Sequence, residues 1–210
     1  MGKRHLKLLA SLTSLVLVLA VMAIGVWAAA SATVSINGTV NYTASGNIRA
    51  TVTLTENDVA STATPTVTGG AEGTKPTATA GSLVFAGGEE AGLTGTFALG
   101  TGGTITLTAT EGQTANVEYS YSLTIKNDYT TTDPATNKSL QIVFTLPTAD
   151  ERLTITTPDV GGTTWTDNTA TRSITLAPQE TATITVAFSG DPNVTVTNLS
   201  VASSLSLSAV

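Results

Sequence analysis

The chain has 210 residues, with 9 Lys and Arg against 15 Asp and Glu, no cysteine and one histidine, His5. Without cysteine there are no disulfides, no thiol chemistry and no Cys-ligated zinc, and the acidic balance makes nucleic acid or anionic lipid a poor partner. Charged residues are only 11% of the chain while threonine is about a fifth, so solubility rests on hydroxyls and amides.

The first 30 residues read as a signal peptide. Lys3, Arg4 and Lys7 form a basic start, Leu8 to Trp27 is almost wholly apolar, and Ala28, Ala29 and Ala30 supply the small residues that signal peptidase needs. This predicts an N-terminal signal helix and an exported chain. About 20 apolar residues also suffice to span a bilayer, so an uncleaved anchor is the alternative; otherwise membrane contact ends with cleavage. Losing the leader leaves six basic and 15 acidic residues, a net charge of −9.

A strand follows the leader with no spacer. Over Thr33 to Tyr42, Val34, Ile36, Val40 and Tyr42 alternate onto one face, with Gly38 among them. Alternation recurs at Ile48–Leu54, at Ile105 and Leu107, and from Val117 to Ile125. It continues at Leu140–Leu146, where Val143 breaks the pattern, then at Leu153/Ile155, Ile174/Leu176, Ile184–Phe188 and Val194–Leu207. β-branched residues suit a pleated, half-buried surface. No segment beyond the leader has a 3.6-residue period, and Thr148–Arg152 is the best place for a short helix. The expectation is all-β: one antiparallel β-sandwich or jelly roll over 31–210, with roughly nine to eleven strands. A Gly/Thr/Ala-rich stretch near 56–103 reads either as a long hairpin region with loops or as an insertion that mediates contacts.

Few residues can carry chemistry. After export no histidine remains, which removes Ser-His-Asp and Cys-His mechanisms and His-ligated metals. The Gly clusters near Gly69 and Gly102 lack the dinucleotide fingerprint and read as turns. Glu89-Glu90 and Asp150-Glu151 are adjacent pairs whose side chains diverge on a strand. Hard oxygen ligands gather between Asn127-Asp128 and Asp133, where Asx-turn chemistry accounts for them equally well as calcium. Lys126 with an Asn and a Glu, such as Glu118 on the same strand face, could in principle form an isopeptide, but a solvated lysine is the simpler reading. Asn37, Asn41, Asn137, Asn193 and Asn198 are in Asn-x-Ser/Thr sequons, as expected of a Thr-rich chain. The pattern implies a protein that is not an enzyme and needs no cofactor or metal.

The junction GVWAAASATVSINGTVNYTASG is similar to the N-termini of TasA/camelysin-type exported proteins. Ser173 to Phe188 resembles the L-x-P-G-E hairpin of that family and of many surface Ig-like domains, with Gln179 in place of the usual Gly. Thr124–Asn127 (TIKN) resembles the family as well. The resemblance implies a jelly-roll subunit of biofilm-matrix fibres, related to archaeal bundling pili. In such fibres the N-terminal strand of one subunit completes the sheet of the next, with or without an accessory fibre subunit. Some camelysin relatives carry a metallopeptidase label, and a chain with no histidine beyond its leader gives that activity no support. An exported chain that begins with a good strand has the means to add it to another copy's sheet edge, and a head-to-tail contact that does not close gives filaments. Val34, Ile36, Gly38, Val40 and Tyr42 are then the donor-strand interface. The alternative, from a different class, is a monomeric secreted Ig-like adhesion or binding module, for which an exposed aromatic platform is missing.

Overall fold

The computed structural model describes residues 31–45, 47–70, 75–87, 93–100, 104–110, 117–132, 137–149, 153–190 and 199–210. Among these there is strand but no helix. In chain order the strands are β1 (Ser31–Asn37), β2 (Thr39–Ser45), β3 (Arg49–Glu56), β4 (Val59–Ala60), β5 (Thr66–Thr68) and β6 (Thr77–Thr79). Next come β7 (Ser82–Ala86), β8 (Leu93–Ala98), β9 (Thr104–Thr110), β10 (Val117–Asn127), β11 (Leu140–Thr145) and β12 (Leu153–Thr156). The series ends with β13 (Thr166–Asp167), β14 (Thr171–Leu176), β15 (Thr181–Gly190), β16 (Leu199–Ser200) and β17 (Ser203–Ala209).

Two seven-stranded sheets form a sandwich-like body. The first runs β12-β15-β10-β3-β7-β6, with β4 also paired to β3, and the second runs β13-β14-β11-β17-β2-β8-β5. Pairing is antiparallel except between β17 and β2, where the first and last strands of the second sheet's sequence lie side by side in parallel. A third, three-stranded sheet has the order β16-β1-β9.

The alternating strands set the layers. Along β3, Ala50, Val52 and Leu54 point inward, and on β10 so do Tyr119, Tyr121, Leu123 and Ile125. Facing them from the second sheet are Val40, Tyr42, Phe97, Ile142, Phe144, Leu205 and Leu207, all within one apolar cluster. Each such side chain contributes about 1.5–3 kcal/mol on burial. The segment 56–103 is woven into this body: Leu83, Phe85, Leu93, Phe97 and Leu99 are buried in the shared core. Its described parts therefore complete both sheets.

The outward positions are occupied by hydroxyls in register. On the first sheet Thr53, Thr124 and Thr183 face one another across three strands. There Ser122 Oγ and Thr185 Oγ1 lie 2.8 Å apart, bonded directly across neighbouring strands. On the second sheet one row reads Thr94, Thr43, Ser206, Val143 and Ser173. Val143, which spoils the sequence alternation, points outward while Ile142 and Phe144 are fully buried.

Two sequence expectations change in detail. The strand anticipated over Thr33 to Tyr42 is broken at Gly38 into β1 and β2, which lie in different sheets. The final stretch likewise splits into β16 and β17. Of the short helix expected at Thr148–Arg152, Thr148 and Ala149 are irregular, and 150–152 lie outside the described residues.

Candidate functional site

The N-terminal strand β1 is the natural place to look, because the sequence reading places the candidate donor-strand interface there. β1 pairs antiparallel with β9 along its whole length, from Ser31 opposite Thr110 to Asn37 opposite Thr104. Its end also pairs in parallel with β16, placing Ile36 opposite both Ile105 and Leu199. Val34 is opposite Leu107. The backbone of β1 is thus held between two strands of its own chain.

Gly38 joins this small sheet to the sandwich. It is buried, its carbonyl accepts from Leu99 N–H at 3.2 Å, and a Cβ there would overlap Leu99 Cδ1 and come within 2.6 Å of Val201 Cγ2. The site is tight, and its walls belong to the same chain. Beyond it, Val40 and Tyr42 are fully buried in the sandwich. The five residues grouped by sequence therefore divide: Val34 and Ile36 lie in β1, Gly38 is the joint, and Val40 and Tyr42 are core. Ala28, Ala29 and Ala30 lie outside the described residues.

Tyr42 is anchored through the sheet. Its hydroxyl donates to Thr66 O at 2.8 Å on the edge strand β5. It reaches that oxygen across Gly95, whose bare backbone leaves the only space for it: a Cβ at Gly95 would collide with both Thr66 O and Tyr42 Oη. The ring makes edge contacts with Phe85 and Phe97, with centroids 6.2 and 5.8 Å away. Burial pushes the Tyr42 hydroxyl pKa up to about 12.

Glu56, at the end of β3, ties three elements together. Its Oε1 accepts from Gly100 N–H at 2.6 Å and Tyr119 O–H at 2.7 Å, and its Oε2 accepts from Ser61 O–H at 2.9 Å. Gly100 follows β8 of the other sheet, so this carboxylate is a cross-sheet clamp near the start of β9. Burial, then the hydrogen bond to Glu56, holds the Tyr119 hydroxyl far above its ordinary pKa. Tyr121 is similar: burial raises it to about 12, opposed by a hydrogen bond with Ser203 Oγ at 2.9 Å.

Asn127 closes the opposite end of β10. It is wholly buried; its Nδ2 donates to Lys138 O at 3.1 Å and Leu176 O at 3.0 Å, and its Oδ1 accepts from Tyr129 N–H at 3.0 Å. The Asx turn onto Tyr129 shows what this asparagine does, and its side chain is committed to backbone groups. Asp128 is engaged with Thr51 Oγ1 at 2.6 Å and Lys126 Nζ at 2.8 Å, while Asp133 lies outside the described residues. Lys126 is half-exposed in that ion pair, which agrees with a solvated lysine. No group of three or more His, Cys, Asp or Glu gathers among the described residues.

The hairpin turn at Pro178-Gln179 shows how a residue other than glycine is held in a left-handed conformation. Gln179 has φ of 68°, the left-handed region where glycine is favoured. Its backbone N–H bonds Asn127 O at 2.9 Å and its Nε2 donates to Tyr129 O at 2.7 Å, so the side chain compensates for the conformation.

Sequence reasoning missed the Glu56 clamp and the Tyr42–Gly95 passage. A carboxylate on an alternating strand resembles any solvated residue, and nothing local reveals that a tyrosine and a glycine far apart in sequence will be cross-strand neighbours. Among the described residues no helix is long and apolar enough to cross a membrane; the leader lies outside them. No family model and no curated protein matches the chain.

Proposed function

We propose that this chain is a non-enzymatic structural subunit of an extracellular or cell-surface filament, assembled by passing β1 from one copy to the next. The observation that supports this most is the separateness of the small sheet. β1 shares no strand ladder with the two sandwich sheets, and buried Gly38 separates it from β2. The backbone ladder it makes with β9 and β16 can form equally between copies, with the same register. Repetition of that exchange is head-to-tail and open, which gives a filament. The resemblance of the leader junction and the Ser173–Phe188 hairpin to fibre-forming jelly-roll proteins supports the same reading, as does export directed by residues 1–30.

A monomeric surface module is the second reading, and one observation favours it: β1 already satisfies its ladder within its own chain. Negative-stain electron microscopy of the exported, purified protein separates the two. Filaments about one subunit wide, lost in Ile36→Asp, are expected for strand exchange. Dispersed particles across pH and concentration would refute it in favour of the monomeric module.

A further inference from the structure

The Asn-x-Ser/Thr sequons are alike in sequence, and the structure separates them. Asn193 and Asn198 lie outside the described residues. Asn37 ends β1, paired with Thr104 on one side and Ser200 on the other. Asn41 is in β2, between Ser204 of β17 and Thr96 of β8, and its Oδ1 accepts from Thr96 Oγ1 at 3.2 Å. The backbone of both is therefore held in ladders on two sides. Asn137-Lys138-Ser139 differs. It is irregular backbone just before β11, and Asn137 and Lys138 are exposed. The segment is nonetheless firmly placed. Lys138 O accepts from the buried Asn127 Nδ2 at 3.1 Å, and Ser139 and Val210 exchange backbone hydrogen bonds of 3.1 and 2.9 Å. Among the described residues no hydrogen bond engages the Asn137 amide. Asparagines outside sequons are used differently: Asn57, Asn127 and Asn168 each spend Oδ1 on a backbone N–H.

We infer that Asn137 is an N-glycosylation site of the folded chain, an inference that rests on export by residues 1–30 but not on strand exchange. A glycosyl transferase needs an asparagine amide, a residue other than proline, and a hydroxyl two positions on, all on a surface segment of an exported protein. Asn137, Lys138 and Ser139 supply these on backbone that no sheet has to release. The co-reactant is a saccharide carried on a polyprenyl phosphate. The Asn137 amide nitrogen bonds to the anomeric carbon of the sugar as that carbon's bond to the phosphate oxygen breaks. The polyprenyl phosphate leaves with the electron pair, and the amide gives up one proton to the transferase. The location leaves room for a bulky adduct. β2 and β17 run in parallel away from Gly38, and Ser139 is bonded to Val210 just past the far end of β17. The seven residues of β2, at about 3.3 Å each, thus separate the site from the joint, and a saccharide there leaves β1 clear.

The test is peptide mapping by mass spectrometry on the full chain, purified from the cells that make it. A saccharide mass is expected on the peptide that contains Asn137. It should be lost in Asn137→Gln and in Ser139→Ala, and kept in Ser139→Thr. Ser139→Ala retains the asparagine and both backbone bonds to Val210, so loss there reports the sequon and not a damaged fold. An unmodified Asn137 in the parent overturns the inference. So does a saccharide that survives Ser139→Ala. Equal occupancy at Asn41 overturns it as well, because the folded presentation of Asn137 would then select nothing. The N-terminus found in the same spectra shows whether the leader was removed, and filaments are scored separately by microscopy, so a failure of this inference is told apart from a failure of export or of strand exchange.

Discussion

Replacing Asn127 by Ala removes the side chain that joins the end of β10 to the approach of β11 and the end of β14. Three hydrogen bonds are lost, at 3.1, 3.0 and 3.0 Å. Two of them, to Leu176 O and from Tyr129 N–H, are in fully buried surroundings. A buried polar group left without a partner costs about 1–3 kcal/mol. The contact with Lys138 O is part-buried, and water replaces much of it. The two buried groups therefore set the scale, a loss of about 2–6 kcal/mol. That is a large share of the roughly 5–15 kcal/mol that holds a domain together.

Urea unfolding monitored by tryptophan fluorescence measures it directly, with Trp165 buried in the same body. The reference is Lys126→Ala, which removes a half-exposed ion pair and should cost no more than about 1 kcal/mol. Asn127→Asp adds a second check, because a carboxylate cannot donate to the two carbonyls that Nδ2 serves. Burial and those carbonyls raise the folded-state pKa of the new acid above its unfolded value. Its destabilisation is then smallest below the unfolded pKa and grows as pH rises through the folded one. If Asn127→Ala lies within about 1 kcal/mol of the parent, the tether argument is refuted, since two buried hydrogen bonds are not lost so cheaply.

Gly95→Ala drives a methyl into Thr66 O and Tyr42 Oη. It should cost more than Tyr42→Phe, which gives up one hydrogen bond worth about 1 kcal/mol; thermal melts that rank them the other way contradict the passage. In alkali, Tyr42 and Tyr121 should ionise near pH 12 in the folded state rather than 10. The folded state then holds protons that the unfolded state has released, so stability falls from pH 10 to 12 by about 1.4 kcal/mol per unit for each tyrosine. Phenolate absorbance titration and unfolding at stepped pH check this, and two tyrosines titrating at 10 while the fold persists would disprove it.

Much of the sandwich was readable because a two-residue period has one physical cause. A strand with one face in the core must alternate, and β3, β10, β11, β14 and β15 all do. Val143 shows the limit: in LQIVF three apolar residues, Ile142, Val143 and Phe144, stand together, and only the pairing with Ser206 and Ser173 fixes which one points outward. The break at Gly38 was hidden for the same reason. Val34, Ile36, Val40 and Tyr42 stay in phase across it, so periodicity alone describes one strand where tertiary packing makes two. The segment 56–103 was obscured by composition, since Gly and Thr are equally at home in turns and in short strands that borrow their order from neighbours. Gln179 was legible as a turn residue after Pro178, while its compensation by Tyr129 O depends on a partner 50 residues away.

The parallel pairing of β2 with β17 bears on how β1 could be exchanged. β2 has β17 on one side and β8 on the other, so it lies inside the second sheet and cannot leave without opening the core. Tyr42, bonded to Thr66 O, fastens it again on the far side of β8. Any motion of the N-terminus must therefore stop at Gly38, where the buried joint is wedged between Leu99 and Val201. On the inner side of that joint, release would expose Val40 and Tyr42, each worth about 1.5–3 kcal/mol in burial. On the outer side, a departing β1 gives up its ladder with β9 and β16, and under the proposed exchange a second copy's β1 would restore that ladder. Under that proposal, the boundary between the fixed and the exchanged strand falls at Gly38. Gly38→Ala, whose methyl has no room, should perturb the joint itself. If it leaves both stability and assembly as they were, the joint does not control the strand.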